Sequence, residues 1–206
     1  TVNGRGTDDD FTVAADGDVT IAGRATIDRT GLTDLVLNGL DGDDTCVVPG
    51  ENPYASVTLS GGGPSGSDVA TLNADGTSGT PITIDLENEV VTGGGFGTGT
   101  GEGVLLSGVE QVDLDADDLD VSVVGTTGDD DLIYTPTGAN AGTVELDGLN
   151  TVFNLSSVPD TTLTIDALAG EDSLTVIGTA AADTIDVDVS VDPSTVDVTG
   201  RLPVEF

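Results

Sequence analysis

Gly125-Thr126-Thr127-Gly128-Asp129-Asp130-Asp131-Leu132 is a turn of small and acidic residues that runs into an apolar position, and its spacing recurs along the chain. Gly4, Gly125 and Gly178 each have an aspartate five residues on (Asp9, Asp130, Asp183) and an apolar residue seven on (Phe11, Leu132, Ile185). A second box reads leucine, one residue, Gly or Ala, an acid, then Asp, at Leu40 to Asp44, Leu114 to Asp118 and Leu168 to Asp172. The boxes are ordered, with Leu114 eleven residues before Gly125 and Leu168 ten before Gly178. Between them, Val19-Thr20-Ile21-Ala22-Gly23-Arg24 matches Val196-Asp197-Val198-Thr199-Gly200-Arg201. Internal repeats decide architecture before any local reading, and these define a unit of 53 residues from Gly125 to Gly178.

The unit is built from strands. Thr184-Ile185-Asp186-Val187-Asp188-Val189-Ser190-Val191 and Thr161-Thr162-Leu163-Thr164-Ile165-Asp166 alternate apolar and polar residues with the period of two that marks a half-buried strand. Gly-Asp turns punctuate such segments. Disorder is the competing reading of so acidic a chain, and 36% apolar content in regular alternation argues against it. The expected fold is all-β, a parallel β-solenoid or β-helix of ~50-residue repeats, because small aliphatic side chains suit a narrow core buried only by stacking. Tandem antiparallel β-sandwiches are the alternative, although a sandwich of ~100 residues usually leans on a buried Trp and this chain has none, with two Tyr and four Phe.

Read this way, residues 1–206 form one continuous array, with approximate units 2–49, 50–124, 125–177 and an incomplete 178–206. The second unit is irregular: Glu51-Asn52-Pro53-Tyr54 replaces the glycine box, and the Gly-rich stretch within 93–103 reads as an inserted flexible loop. Thr1 starts just before a glycine box and Phe206 stops short of the next leucine box, so both ends are read as cutting through a repeat of a mature product or excised piece. Open ends invite pairing with another chain, and copies are expected to join head to tail into a fibre.

Aspartates crowded into turns call for a counter-charge. Thirty of the 38 acids are Asp, there is no His, and Cys46 is the single cysteine. Usual zinc and copper sites are thereby excluded. Calcium, which takes six to eight oxygens from carboxylates and exposed carbonyls, fits the turns. The candidate ligands are Asp8, Asp9, Asp10, Asp41, Asp43, Asp44, Asp117, Asp118, Asp129, Asp130, Asp131, Asp172 and Asp183. Isolated acids such as Asp16, Asp75 and Asp160 are read as plain turn residues that cap their own backbone. Halophily is a second explanation of an acidic surface, but it would spread the acid evenly rather than concentrate it in turns.

Asn38-Gly39-Leu40-Asp41-Gly42-Asp43-Asp44-Thr45 and Val124 to Leu132 resemble the Gly/Asp-rich repeats of large secreted bacterial surface proteins, and are similar to, but looser than, the calcium-binding RTX nonapeptide. The resemblance implies export, calcium in the turns between strands, and a structural or adhesive role. The boxes here are isolated rather than tandem, so it carries over the class of ion and not the geometry of its site.

A net charge of −34 repels nucleic acid and anionic membrane. No segment has the apolar length of a membrane span. Cys46 in Thr45-Cys46-Val47-Val48 reads as a buried strand thiol, and Asn154-Leu155-Ser156 is an isolated glycosylation-type triplet. Catalysis lacks a His, a Lys or an evident activated nucleophile, and four arginines do not make a cleft for an anionic polysaccharide. Arg24 and Arg201, at matching repeat positions, suggest a repeated structural ion pair. The function expected is an extracellular or cell-surface structural or adhesive protein stabilised by calcium, whose partners are itself and surface polysaccharide. A carbohydrate- or ice-binding module is the alternative, hinted at by Thr161, Thr162 and Thr164, and a polysaccharide-degrading enzyme the least favoured.

Overall fold

The computed structural model describes residues 1–63, 67–97, 102–159, 163–188 and 193–206. Asp160, Thr161 and Thr162, part of the Gly-rich stretch (98–101) and the end of the Thr184 to Val191 alternation lie outside the described residues. The protein is all-β, in two parallel-rich mixed sheets; its one described helix is a single 3₁₀ turn, Gly76–Ser78.

The chain crosses repeatedly between the sheets. β1 (Val2–Asn3) lies in the first sheet, and β2 (Asp10–Val13) and β3 (Val19–Ile21) in the second. Single strands then alternate: β4 (Asp34–Leu40), β5 (Thr45–Pro49), β6 (Ser56–Gly62) and β7 (Val69–Asn73). β8 (Ile82–Asp85), β9 (Val90–Thr92) and β10 (Gly103–Ser107) form a three-strand meander in the first sheet. β11 (Gln111–Asp115) and β12 (Val121–Val124) are again single crossings. β13 (Asp131–Gly138), β14 (Ala141–Leu146) and β15 (Val152–Ser156) form a meander in the second sheet. β16 (Leu163–Asp166) and β17 (Ser173–Val176) follow, and β18 (Ile185–Asp188), β19 (Thr195–Val198) and β20 (Val204–Glu205) form a meander in the first.

The first sheet is ordered β1-β4-β6-β10-β9-β8-β12-β16-β20-β19-β18 and the second β17-β13-β14-β15-β11-β7-β5-β2-β3. Among the described residues eleven strand pairings are parallel and seven antiparallel. All the antiparallel ones involve a return strand: β3, β9, β14 or β19. In each complete meander the first strand lands ahead of the growing sheet and the chain folds back, so that the third strand fills the gap. The match between Val19 to Arg24 and Val196 to Arg201 is the match between two return strands, β3 and β19 with their turns. Gly23, Gly93, Gly148 and Gly200 end the return strands with positive φ, where a side chain would be strained.

Alternation sets the core. Inward positions of both sheets form one contiguous apolar cluster, with Tyr54, Tyr134, Phe11 and Phe153 its largest fully buried side chains. Burying a Val, Leu, Ile or Phe contributes roughly 1.5–3 kcal/mol each, so the scarcity of aromatics is compensated by the number of aliphatics. The Gly-rich stretch is corrected in its described part: Gly93 and Phe96 bridge, and Phe96 is 3% exposed in the core, so 93–97 is a packed turn rather than a flexible loop.

Candidate functional site

The acids collect where strands of the first sheet turn into strands of the second. The triplet Asp8-Asp9-Asp10 lies against Asp43-Asp44-Thr45 of the next crossing. Asp8 Oδ1 accepts the Asp43 N–H (3.0 Å), the Asp9 N–H donates to Asp44 Oδ1 (2.7 Å), and the Thr45 hydroxyl donates to Asp10 Oδ1 (2.7 Å). The same three contacts join Asp129-Asp130-Asp131 to Glu171-Asp172-Ser173. Glu171 N–H reaches Asp129 Oδ1 (2.9 Å), Asp130 N–H reaches Asp172 Oδ1 (3.0 Å), and Ser173 Oγ reaches Asp131 Oδ1 (2.5 Å). Each central acid also lends its carbonyl to the next strand, Asp9 to Thr45 and Asp130 to Ser173.

The line continues between the two triplet pairs. Asp44 N–H donates to Asp68 Oδ1 (2.7 Å), and Asp68 N–H to Glu110 Oε2 (2.9 Å). Asp9, Asp44, Asp68 and Asp130 are buried. Within its own turn the box aspartate closes the loop: Asp130 accepts from Thr126 N–H and Oγ1 (both 2.7 Å), and Asp183 accepts identically from Thr179. Asp9 accepts the Arg5 N–H and forms ion pairs with Arg5 (3.2 Å) and Arg24 (3.9 Å).

Glycine at the start of each turn follows from this crowding. A Cβ on Gly4 would meet the Gly39 carbonyl and Asp9, one on Gly39 the Gly61 carbonyl and Asp44, and one on Gly61 the Gly108 carbonyl and Asp68. The glycines stack crossing upon crossing, as the acids do.

Asp44 and Asp68 differ from the rest: among the described residues no atom bonds their buried Oδ2. Burial, followed by neighbouring carboxylates, pushes both carboxyls above the usual range, against the lowering effect of the N–H bonds they accept. Beside them, Cys46 is half-buried in β5, and burial with the charges of Asp44 and Asp68 raises its thiol to about 12.

The other candidates are placed separately. Asp117 and Asp118 stand at the opposite corner, after β11, with positive φ; Asp117 Oδ2 accepts the Gly76 N–H (2.8 Å) and the Asp118 N–H donates to the Ser157 carbonyl (2.9 Å). Asp41 is exposed. The leucine box is therefore not one structure: Leu40 and Leu168 are exposed with positive φ, while Leu114 is buried in β11. Of the arginine pair, Arg24 meets Asp9, but Arg201 donates to the Thr137 carbonyl (2.8 Å), so among the described residues the ion pair does not repeat. Asn154 is tied to Asp113 (2.8 Å) and Thr143 in the middle of the second sheet.

Sequence reasoning missed Gly39, Asp68 and Glu110. Gly39 satisfies the first box, with Asp44 five residues on and Cys46 seven on, but the overlapping leucine box claimed the same acids. Asp68 follows Gly61 by seven residues instead of five. Among the described residues no group of three or more His, Cys, Asp or Glu side chains converges as metal ligands; Asp8, Asp10, Asp44, Asp129, Asp131 and Asp172 each accept a backbone N–H or a hydroxyl at one oxygen. No protein-family model, no curated protein and no solved structure matches this chain.

Proposed function

We propose that the chain is a stiff, non-catalytic structural or adhesive element of an extracellular or cell-surface protein, wound as a parallel β-solenoid in which each ~50-residue unit adds single crossings and a meander. The observation that carries the reading is the hydrogen bonding of Asp8-Asp9-Asp10 onto Asp43-Asp44-Thr45, repeated by Asp129-Asp130-Asp131 onto Glu171-Asp172-Ser173. It assigns the most acidic segments to holding successive crossings together, which is the work of a scaffold.

Calcium is the proposed counter-ion. The buried part of the corner fits it poorly, because among the described residues only Asp44 Oδ2 and Asp68 Oδ2 are buried there without a hydrogen-bond partner and calcium takes six to eight oxygens. The exposed acids of the same turns, Asp8, Asp41, Asp43 and Asp129, remain as donors together with backbone carbonyls. An ion bound only by the folded state stabilises it by about 2.7 kcal/mol per site at a hundred times its dissociation constant. Thermal unfolding in calcium, in chelator, and in chelator with ionic strength matched by sodium chloride is the test. A midpoint raised by calcium alone supports the proposal; identical midpoints in calcium and matched sodium remove calcium from it.

A second reading, carbohydrate binding, draws on a shallow groove of about 380 Å³ on the outer face of β7, β11 and β15, where Asn73, Asp113, Asp115 and Asn154 gather. Saturation-transfer NMR with neutral oligosaccharides tests it.

A further inference from the structure

The two sheets end together, and the far end is open. An apolar cavity of about 730 Å³ lies between them there, lined by Leu132, Ile165, Leu174, Val176, Ile185 and Val187 among others. β18 has the alternation of a half-buried strand, yet Ile185 is 48% and Val187 53% exposed, because no described residue covers its inner face. Of the eight large hydrophobics exposed among the described residues, Leu168, Ile177, Ile185, Val187 and Phe206 belong to this end. Ile27 and Leu32 belong to the opposite one, where β1 and β3 are the edge strands. Leu40 alone falls elsewhere.

The two ends match in direction. Following the pairings along the first sheet, β18 runs the same way as β1. In the second, β17 runs the same way as the short segment at Ile27, which bridges antiparallel to β3 at Val19. Setting the near end of one molecule on the far end of another would therefore extend both sheets in parallel. It would repeat two junctions already inside the chain: β8 with β12, where a meander's leading strand meets a single strand, and β11 with β15, where a single strand meets a meander's last. Charge does not choose the direction, because aspartates outnumber arginines at both ends, and at the near end Arg5 and Arg24 already face Asp9.

We infer that the open end between β17 and β18 takes the opposite end of a second copy of this chain, β18 pairing in parallel with β1 and β17 with the segment at Ile27. The inference rests on the structural reading proposed above and gives it a partner and a direction of growth.

Sedimentation of the whole chain over a concentration series up to about 1 mM, at low and high salt, tests it with two variants. V187D blocks the far end and I27D the near end, each checked by circular dichroism and thermal unfolding against the unaltered chain. If V187D fails to fold, I185D replaces it; if I27D fails, L32D does. The unaltered chain is expected to form a ladder of oligomers, no weaker at high salt because salt screens the acids at both ends, and each variant alone to remain a monomer. An equimolar mixture of the two should give dimers and nothing longer, since each retains one competent end. A monomeric unaltered chain throughout the series, or variants that still form the ladder, would overturn the inference and leave the cavity to another occupant. Calcium stabilisation without self-association defeats this inference alone, whereas self-association without calcium dependence defeats only the calcium proposal.

Discussion

Asp44 Oδ1 accepts the backbone N–H of Asp9 at 2.7 Å across 35 residues of chain, while its second oxygen is buried with no partner among the described residues. One half of the carboxyl ties two crossings together and the other is desolvated without compensation, which is why burial leads the upward shift of its pKa. A carboxyl raised in the folded state binds protons more tightly there than in the unfolded chain. Its contribution is fully present below the unfolded value of 3.8 and is lost as pH rises through the folded value. Asp44→Asn keeps the Oδ1 acceptor and removes the charge. In chelator at pH 7 it should raise the unfolding free energy, and that gain should vanish toward pH 3. Asp44→Ala should instead lower it by about 1–3 kcal/mol, because the Asp9 N–H is left buried and unpaired. Denaturant titrations of both variants across pH check the contrast; equal effects of Asn and Ala would refute it.

Gly39 owes its identity to close approach rather than to an unusual backbone angle. A Cβ there meets the Gly61 carbonyl at 2.6 Å and the Asp44 carboxylate closer still, whereas one on Gly6 has only ordinary contacts near 3.7 Å with Asp41. Gly39→Ala should therefore cost about 1–3 kcal/mol, the range for overpacking, and Gly6→Ala should stay within about 0.5 kcal/mol. Chemical denaturation of the pair measures the difference.

What the sequence disclosed was local. Gly125 to Asp130 and Gly178 to Asp183 are legible because the aspartate closes its own turn, so the spacing of glycine and acid is a property of one short segment. The return strands are legible for the same reason: Ile21 and Val198 each end a strand and open a four-residue turn with glycine at its third position, closed by the N–H of Arg24 or Arg201. The order of strands was not, because β8 passes over the positions that β10 and β9 later fill, and no short-range signal marks such a landing. Chemistry was less legible, because one composition serves two purposes. Asp129, Asp130 and Asp131 were legible as an acid cluster, whereas their bonds to Glu171, Asp172 and Ser173, some forty residues on, were not, since spacing within a turn says nothing about them.

Thr126 and Thr179 hold the box aspartate in the same way but in different surroundings. Asp130 is 3% exposed, and Asp183 is in solvent. Thr126→Val should cost about 1 kcal/mol, a net hydrogen bond plus part of the desolvation of Asp130. Thr179→Val should cost no more than about 0.5 kcal/mol. If the two substitutions prove equal, burial of the corner contributes nothing to its strength.

Cys46 reports on the corner from the side. Its thiol is raised to about 12 from 9.0, first by burial and then by the charges of Asp44 and Asp68. Since the thiolate is the reactive species, its fraction at pH 8 falls about a thousandfold below that of a free thiol, and alkylation by iodoacetamide should be slowed accordingly until denaturant is added. Asp44→Asn removes one of the two charges and leaves the burial, so it should speed native-state alkylation only modestly. Because burial is the larger cause, a variant that opens the corner, such as Gly39→Ala, should accelerate labelling more than loss of the charge does. Reversal of that order would mean that the carboxylates, and not packing, govern this thiol.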